Sequence, residues 1–281
     1  MRNKESITIR FLYNTRAGRF ILKFLINPKI SEFAGKFLNC RFSKFIVSTY
    51  VKKHKINLSE YKCRSFNSFN EFFIREKKNV KIDRSPFNLI SPCDGYLSVY
   101  KIKANNRYKI KNINYSVGEL LNNEALAGKY VNGLCFVFRL APDNYHRYLY
   151  IDDGIKSQNY TVKGVLHCVR PVAASKYPIY IQNSREYTIL NTVHFGTVVQ
   201  VEVGALLVGK IQNHHSSGEF FKGQEKGYFE FGGSTIILLF EQNIVTPDKN
   251  IIDNTLNNIE TKVKAGEKIA VCTRKENKDE Q

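Results

Sequence analysis

The spacing of apolar residues changes along the chain. Before about residue 60, aromatic residues recur three or four positions apart among lysines and arginines, as on one face of an α-helix. The spacing of Ser68 and Glu71 is that of a capping box and predicts a short apolar helix ending near Lys77. Beyond about residue 88, runs rich in Val, Ile, Leu, Phe and Thr between glycines predict strands at 134–140, 161–169, 197–211 and 235–244.

This pattern predicts an α+β fold that is mainly β, with a helical front. The chain has 281 residues, of which 43% are hydrophobic, enough for a sizeable core and unlike a disordered chain. We expect residues 1–60 to form a basic amphipathic helical segment and residues 61–281 to form a β-rich domain that holds the candidate chemistry.

The positive charge is concentrated at the start of the chain. The formal net charge is +18, and residues 1–58 hold 13 Lys and Arg against only Glu5 and Glu32. This charge suits the phosphates of nucleic acid or the anionic face of a membrane. The same segment carries a series of aromatic residues, which favours the membrane surface over nucleic acid: Phe20, Phe24, Phe33, Phe37, Phe42, Phe45 and Tyr50.

Two observations limit how this segment meets a membrane. No apolar run in it approaches the roughly 18 residues of a transmembrane helix, and residues 1–19 lack the apolar core of a secretory signal. We therefore expect peripheral association with the cytoplasmic face of the cell membrane. The alternative is an amphipathic helical layer that packs on the main domain and leaves its lysines in water.

Metal and nucleotide sites are not indicated. The six cysteines form no CxxC pair, and His214 and His215 are adjacent without an HxxxH or HExxH spacing. No phosphate-binding glycine motif is present. We predict no metal.

Three segments carry candidate chemistry, and each also has a plain structural explanation. Gly232-Gly233-Ser234-Thr235 places a hydroxyl where a turn enters a buried strand, but glycines also make ordinary turns. Ser91-Pro92-Cys93-Asp94-Gly95 is equally typical of a turn. Pro142-Asp143-Asn144-Tyr145-His146-Arg147 follows a predicted strand, where a single histidine is usually a packing residue.

Together, Asp94, His146 and Ser234 have the residue types of an orienting carboxylate, a base and a nucleophile, although spacing alone does not show that they meet. A serine hydrolase acting on lipid esters with these residues is one reading, but its usual GxSxG elbow is absent. A noncatalytic lipid-binding β domain is another.

Four motifs in order carry a resemblance to a known family. They are Phe69-Asn70-Glu71-Phe72-Phe73-Ile74-Arg75, Ser91-Pro92-Cys93-Asp94-Gly95, Asp143-Asn144-Tyr145-His146-Arg147 and Phe229-Glu230-Phe231-Gly232-Gly233-Ser234-Thr235. Over roughly residues 60–245 the chain resembles the phosphatidylserine decarboxylase family. The stretch from Gly223 to Ile237 is similar to that family's processing region.

The resemblance implies a proenzyme that cuts itself between Gly233 and Ser234, by attack of the serine hydroxyl on the preceding carbonyl. His146, held by Asp94, would activate Ser234. Residues 1–233 would form the large chain and residues 234–281 the small chain, and the two would stay associated.

The resemblance also implies the cofactor and the reaction. Ser234 would become a pyruvoyl group, which forms a Schiff base with the amine of phosphatidylserine and accepts electrons as carbon dioxide leaves, giving phosphatidylethanolamine. A pyruvoyl decarboxylase of another amino compound is a closer alternative, but it gives no reason for the basic aromatic segment. The sequence leaves open whether the protein forms a homo-oligomer.

Two departures from the family pattern affect the predicted roles. Many members carry a second histidine three positions after the first, where this chain has Leu149. His146 would then serve both self-cleavage and decarboxylation, with His167 as the alternative base. The motif's aspartate is replaced by Asn144, so that Asp143 is the remaining carboxylate at that turn.

Overall fold

A computed structural model describes residues 7–110, 113–206, 210–232 and 234–273. Four helices lead the described chain and shorter ones connect the strands. The helices are α1 Ile7–Asn14, α2 Arg16–Leu25, α3 Pro28–Asn39, α4 Lys44–His54, α5 Phe69–Phe73, α6 Val117–Leu121, α7 Glu124–Ala127, α8 Pro171–Ala174, α9 Ile179–Gln182 and α10 Lys249–Leu256.

Antiparallel strands make up most of the remainder. They are β1 Asn88–Ile90, β2 Gly95–Lys101, β3 Arg107–Ile110, β4 Ile113–Ser116, β5 Leu134–Leu140, β6 Arg147–Leu149, β7 Gly154–Lys156, β8 Tyr160–Val162, β9 Arg185–Thr192, β10 Thr197–Val203, β11 Ile211–Asn213, β12 Gly218–Phe220, β13 Glu225–Phe229, β14 Ser234–Phe240, β15 Val245–Pro247, β16 Thr261–Val263 and β17 Lys268–Cys272. The predicted α+β class, mainly β, is confirmed.

The largest sheet forms the centre of the fold. Its strand order is β12-β7-β9-β10-β14-β5-β2-β16, with β8 also pairing β9. Strand β14 lies between β10 and β5, and each of its seven residues is buried. An apolar run buried on both faces is what a central strand requires, because side chains alternate between the two faces. A smaller sheet of β11, β13 and β6 carries the segments that surround the candidate site.

The N-terminal helices pack on the β-rich part in two groups. Helices α1 and α2 join the main core through Leu12, Tyr13 and Leu22. They approach each other closely at Gly18, where a Cβ atom would lie 2.1 Å from the carbonyl oxygen of Phe11. A second apolar cluster forms where α3, α4 and α5 meet, around Leu38, Phe66, Phe69, Phe72 and Phe73. None of the described helices has the length and apolar content needed to cross a membrane.

Most of the aromatic series in this segment faces water. Six phenylalanines are exposed: Phe20, Phe24, Phe33, Phe37, Phe42 and Phe45. Tyr50 differs, because its ring packs 5.2 Å from Phe69 and 5.8 Å from Phe72 on α5. The exposed aromatic surface of this segment therefore includes the six phenylalanines on or next to α2, α3 and α4, together with Phe11 of α1.

Several predicted boundaries were wrong. The strand predicted at 161–169 ends at Val162, because the chain then leaves the sheet and the Leu166 amide donates to the Ile26 carbonyl at the end of α2. The strand predicted at 197–211 ends at Val203, and the last predicted strand ends at Phe240. Helix α5 ends at Phe73 rather than near Lys77.

Candidate active site

Three strand ends bring the candidate residues to one end of the central sheet. Ser234 begins β14 and pairs with Leu140, the last residue of β5. Gly95 begins β2 beside the same strand end, since a Cβ atom on it would lie 3.8 Å from the Leu140 amide nitrogen. Adjacent strands lie about 4.8 Å apart, so Gly95 is about 10 Å from Ser234. We call this end of the sheet the active edge; Asp94, the turn that contains His146, and Ser234 all lie on it.

His146 is held as a neutral ring with a free nitrogen. Its side chain is fully buried, and burial lowers its pKa to about 3. Nδ1 lies 3.0 Å from the carbonyl oxygen of Asn144, which only accepts hydrogen bonds, so we assign the ring proton to Nδ1. Nε2 is therefore a lone-pair acceptor, and no described group meets it in hydrogen-bond geometry. The backbone of Gly232 lies close enough to affect the pKa of the ring, so the imidazole is beside the turn before Ser234.

Helix α5 supplies the surroundings of His146. The ring of Phe73 lies 4.1 Å from the imidazole and 5.1 Å from the ring of Phe231. Asn70 accepts a hydrogen bond of 3.1 Å from the Phe231 amide, which fixes the start of the turn to Ser234. The helix begins as predicted, with the Ser68 hydroxyl accepting from the Glu71 amide. The helix thus contacts both His146 and the turn before Ser234.

Ser234 is a buried hydroxyl without a partner. Its Oγ makes no hydrogen bond with any described residue. Gly232 adopts a φ of +140°, a conformation that favours glycine, and this bends the chain into β14. Gly233, the other half of the predicted cleavage site, lies outside the described residues. The Oγ1 of Thr235 is also buried and unpartnered, but alternation along the strand directs it to the opposite face.

Asp94 does not hold His146 directly, and that expectation was wrong. Its two carboxylate oxygens accept from Lys77 at 2.6 Å and from the Ala265 amide at 2.9 Å. The Lys77 ammonium also lies 4.6 Å from the centre of the Tyr145 ring, next to His146 in sequence. Asp94 therefore acts on the turn through Lys77. Sequence reasoning missed Lys77, because only its position shortly after α5 marks it out.

The residues at the two departures have clear surroundings. Asp143 is exposed, and no described hydrogen bond or ion pair links it to His146, so the Asn144 carbonyl orients the ring instead. The side chain of Asn144 closes the turn by accepting from the Ala141 amide. Leu149 is buried in β6.

His167 lies outside the strands, near the active edge but not in it. Its Nδ1 is 3.3 Å from the Tyr13 hydroxyl, and its ring stacks 4.6 Å from Tyr177. The Asn183 side chain donates both to the His167 carbonyl at 2.8 Å and to the Gly204 carbonyl at 2.7 Å. Gly204 follows Val203, the partner of Thr235, and so faces Ser234 across the sheet.

The arrangement suits proton transfer between a buried base and a buried hydroxyl. In the described part of the chain, no three His, Cys, Asp or Glu side chains come together as metal ligands. A serine at the start of a buried strand, with an unpartnered base beside its turn, fits a group formed from Ser234 itself.

Comparison with known proteins extends the similarity over most of the chain. A family model described as phosphatidylserine decarboxylase matches residues 69–271. The chain is 46% identical over 266 residues to phosphatidylserine decarboxylase proenzyme 2 of Clostridium acetobutylicum, and the aligned region covers 93% of this chain and 90% of that protein. It is 42% identical over 275 residues to the phosphatidylserine decarboxylase proenzyme of Ruminiclostridium cellulolyticum, and this aligned region covers 95% of this chain and 92% of that protein.

Proposed function

The chain belongs to the phosphatidylserine decarboxylase family, and on that premise we propose that it converts phosphatidylserine to phosphatidylethanolamine and carbon dioxide after cutting its own backbone. Family membership makes it a carboxy-lyase. The alternatives of a serine hydrolase and a noncatalytic lipid-binding domain are thereby displaced.

One observation carries the proposal. The Nε2 of His146 and the Oγ of Ser234 are both buried and both without a hydrogen-bond partner among the described residues. Leaving such groups unpaired costs about 1–3 kcal/mol each, which a protein tolerates where chemistry needs them. His146 in its assigned tautomer accepts the Ser234 proton at Nε2, and Oγ attacks the Gly233 carbonyl.

The rest of the processing follows from the same atoms. The backbone bond passes from the Ser234 nitrogen to its oxygen, and the amide becomes an ester. Elimination then releases residues 1–233 with a free carboxylate and leaves a dehydroalanine at position 234. Water replaces its nitrogen, and ammonia departs. The serine carbons thus become a pyruvoyl group at the start of residues 234–281.

The pyruvoyl group supplies the electron sink for decarboxylation once it is formed from Ser234. The protein's own residues have separate tasks. His146 holds or delivers a proton at Nε2, and Phe73, which packs on Phe231, keeps water from its ring. The Asp94–Lys77 pair fixes the turn on which His146 lies, through the contact of Lys77 with Tyr145. Asp94 is in this account a positioning residue.

We further propose that the protein works as a peripheral enzyme on the cytoplasmic face of an anionic membrane. The basic segment presents the six exposed phenylalanines beside its surplus of cations. Interfacial helices combine these features, because apolar side chains enter the boundary of the acyl chains while cations meet anionic headgroups. This surface also explains why a lipid is favoured over a soluble amino compound as substrate.

Intact mass under denaturing conditions tests the processing. We expect two chains, with the smaller starting at position 234 and lighter than a serine-started chain by one ammonia. Ser234→Ala should stay a single chain, while Ser216→Ala, at an exposed serine away from the active edge, should be cut like wild type. The cut wild-type protein should then release carbon dioxide from vesicles that contain phosphatidylserine.

A wild-type protein that is folded yet uncut would contradict the proposal. Cleavage at any other bond would do the same. A cut protein that decarboxylates a soluble amine but not phosphatidylserine would keep the processing and reject the substrate.

A further inference from the structure

A cavity of about 510 Å³ lies between helix α2 and the chain segment 164–182. Its lining is partly cationic and partly apolar, and the residues that matter are Arg19, Leu22, Lys23, His167, Tyr177 and Gln182. Arg19, Leu22 and Lys23 are three and four positions apart, so they share one face of α2. His167, the alternative base in the sequence, lies on this lining.

The charge of this cavity is unbalanced. Arg19 is half-buried, and neither it nor Lys23 forms an ion pair or hydrogen bond through its side chain with any described residue. Among the residues that the structure describes, no Asp or Glu lines the cavity. Two unpaired cations at a concave site attract an anion, and the guanidinium group in particular suits the oxygens of a phosphate.

His167 adds a directed donor. The Tyr13 hydroxyl accepts from the Cys168 amide at 2.9 Å, so its own proton is directed to the Nδ1 of His167. Burial lowers the pKa of His167, and the neutral ring then carries its proton on Nε2. No described residue accepts from that nitrogen, and the ring lines the cavity.

The cavity lies between two features that the proposed reaction needs. On one side, Asn183 joins the His167 carbonyl to Gly204, which faces Ser234 at the active edge. On the other side, the exposed rings of Phe20 and Phe24 lie 5.4 Å apart on the adjacent face of α2. A phospholipid has the same order of parts: a polar headgroup, a phosphodiester and apolar chains.

We propose that this cavity binds the phosphodiester of the phospholipid substrate. Arg19 and Lys23 neutralise the phosphodiester charge, and His167 and Gln182 donate to its oxygens. The headgroup points towards the active edge, and the acyl chains lie along Phe20 and Phe24. The inference rests on the proposed function, because it assigns a place to that function's substrate.

Binding to uncut protein tests the site without requiring catalysis. Full-length Ser234→Ala would be titrated with monomeric dihexanoyl phosphatidylserine by calorimetry. Adding Arg19→Gln and Lys23→Gln should weaken binding about tenfold or more, since each removes a charge-assisted hydrogen bond. The matched control adds Lys29→Gln and Arg41→Gln, which remove the same charge from exposed positions outside the cavity. It should change binding less than about twofold.

Two further arms separate specific binding from general attraction. Inorganic phosphate should compete weakly, because it lacks the chains that contact Phe20 and Phe24. Equal loss in the two double variants would overturn the site in favour of surface electrostatics. Competition by phosphate as strong as by lipid would overturn it in favour of a simple anion site.

A measurement on the Ser234→Ala protein without further changes avoids any folding defect of the double variants. Dihexanoyl phosphatidylserine should protect Lys23 from an amine-reactive reagent and leave Lys29 unprotected; equal labelling with and without lipid would contradict the proposal. In processed enzyme, Arg19→Gln with Lys23→Gln should raise KM and leave kcat nearly unchanged, whereas Arg19→Lys with Lys23→Arg should restore KM. An uncut wild-type protein that still binds the lipid in this cavity would reject the proposed function and keep the site.

Discussion

His146 combines three properties that rarely occur together in one side chain. It is fully buried, its Nδ1 is occupied by the Asn144 carbonyl, and its Nε2 has no described partner. The low pKa keeps the ring neutral at physiological pH, so the lone pair is available throughout. His167 is also neutral, but its Nδ1 is engaged by Tyr13 and its assigned Nε2 carries the proton. The two histidines therefore differ in what they offer: His146 is the proposed base for Ser234, whereas His167 offers a donor to the cavity beside α2.

Separate alanine variants test this assignment. His146→Ala should slow self-cleavage about 10²–10⁴-fold, the usual contribution of a general base. His167→Ala should process at nearly the wild-type rate, because its ring is not the base. The fraction of cut chain against time after synthesis measures both. Uncut chain in the His167 variant together with normal cutting in the His146 variant would reject the choice of base.

The buried neutral ring also makes stability depend on pH. The pKa of His146 is about 3 in the folded protein, against about 6.5 when unfolded, so the unfolded state binds more protons between these values. The contribution of His146 to the free energy of unfolding is therefore fully present above pH 6.5 and is lost as the pH drops towards 3. Between pH 7 and pH 5 the loss from this residue is about 2 kcal/mol.

Urea unfolding of two uncut proteins isolates this effect. Between pH 7 and pH 5, the free energy of unfolding of Ser234→Ala should fall by an amount that includes the His146 contribution. For Ser234→Ala with His146→Gln the fall should be about 2 kcal/mol smaller. The comparison of slopes removes the constant cost of the glutamine and the contribution of other titrating groups. Equal slopes would mean that His146 is not a buried neutral histidine.

The sequence could name the residues of the site but not their contacts. Asp94, His146 and Ser234 follow from motifs whose residue types suit the chemistry. The Asp94–Lys77 pair and the Asn144 carbonyl depend on how turns meet in space, and no spacing along the chain encodes that. A backbone carbonyl in particular has no side-chain signature, so the group that orients His146 was not predictable.

Helix α5 has a role out of proportion to its five residues. It packs Phe73 against His146 and fixes the Phe231 amide through Asn70. The Arg147 side chain donates to the Ile74 carbonyl at its end and pairs with Glu225 of β13 at 2.7 Å. The helix is thus bonded to both segments that must meet in the proposed self-cleavage.

Asn70→Ala should slow cleavage while the protein still folds. The variant leaves the Phe231 amide without its side-chain acceptor, which costs about 1–3 kcal/mol and loosens the turn before Ser234. We expect about tenfold slower processing, which corresponds to the lower part of that range of free energy. Asn67→Ala, at an exposed asparagine just before the helix, is the matched control and should be cut normally. Equal rates would show that Asn70 does not position the turn.

Elements with a strong local signal were predicted well. Strand β5 coincides with the predicted 134–140, because an unbroken apolar run is typical of a strand buried on both faces. The prediction at 161–169 was wrong beyond Val162 because the backbone there bonds to helices: the Leu166 amide donates to the Ile26 carbonyl after α2, and the Cys168 amide donates to the Tyr13 hydroxyl of α1. An apolar segment of the sequence indicates that its residues are buried, but it does not indicate which element they pack against.

The two predicted chains share one fold. Residues 234–273 supply β14 to the centre of the largest sheet, β16 to its edge, and β15 and β17 to a second sheet with β1. Cutting before Ser234 opens one bond at the start of β14 and leaves these pairings in place. Separation would expose a strand whose seven residues are all buried, so association after cleavage follows from the hydrophobic effect.

At the scale of the whole molecule, the helical segment leaves phenylalanines that the β-rich part does not cover. The six exposed phenylalanines lie on or beside α2, α3 and α4, and the proposed phosphodiester cavity lies next to two of them. If these phenylalanines meet the bilayer, substrate enters from the surface on which it resides. Membrane binding and substrate capture would then share the same helices.

Vesicle sedimentation with Ser234→Ala as the parent protein tests that arrangement without turnover. Phe45→Ser on α4 should weaken binding to phosphatidylserine-containing vesicles about tenfold, consistent with the loss of one inserted aromatic side chain. Phe45 is 70% exposed, and Phe221, between β12 and β13, is 62% exposed, so Phe221→Ser is the matched control and should bind like the parent. Equal weakening by both changes would show that the β-rich part meets the bilayer as well. Unchanged binding in Phe45→Ser would leave the cations as the attachment, and then added salt alone should release the protein, because surface charge attraction is screened within a Debye length.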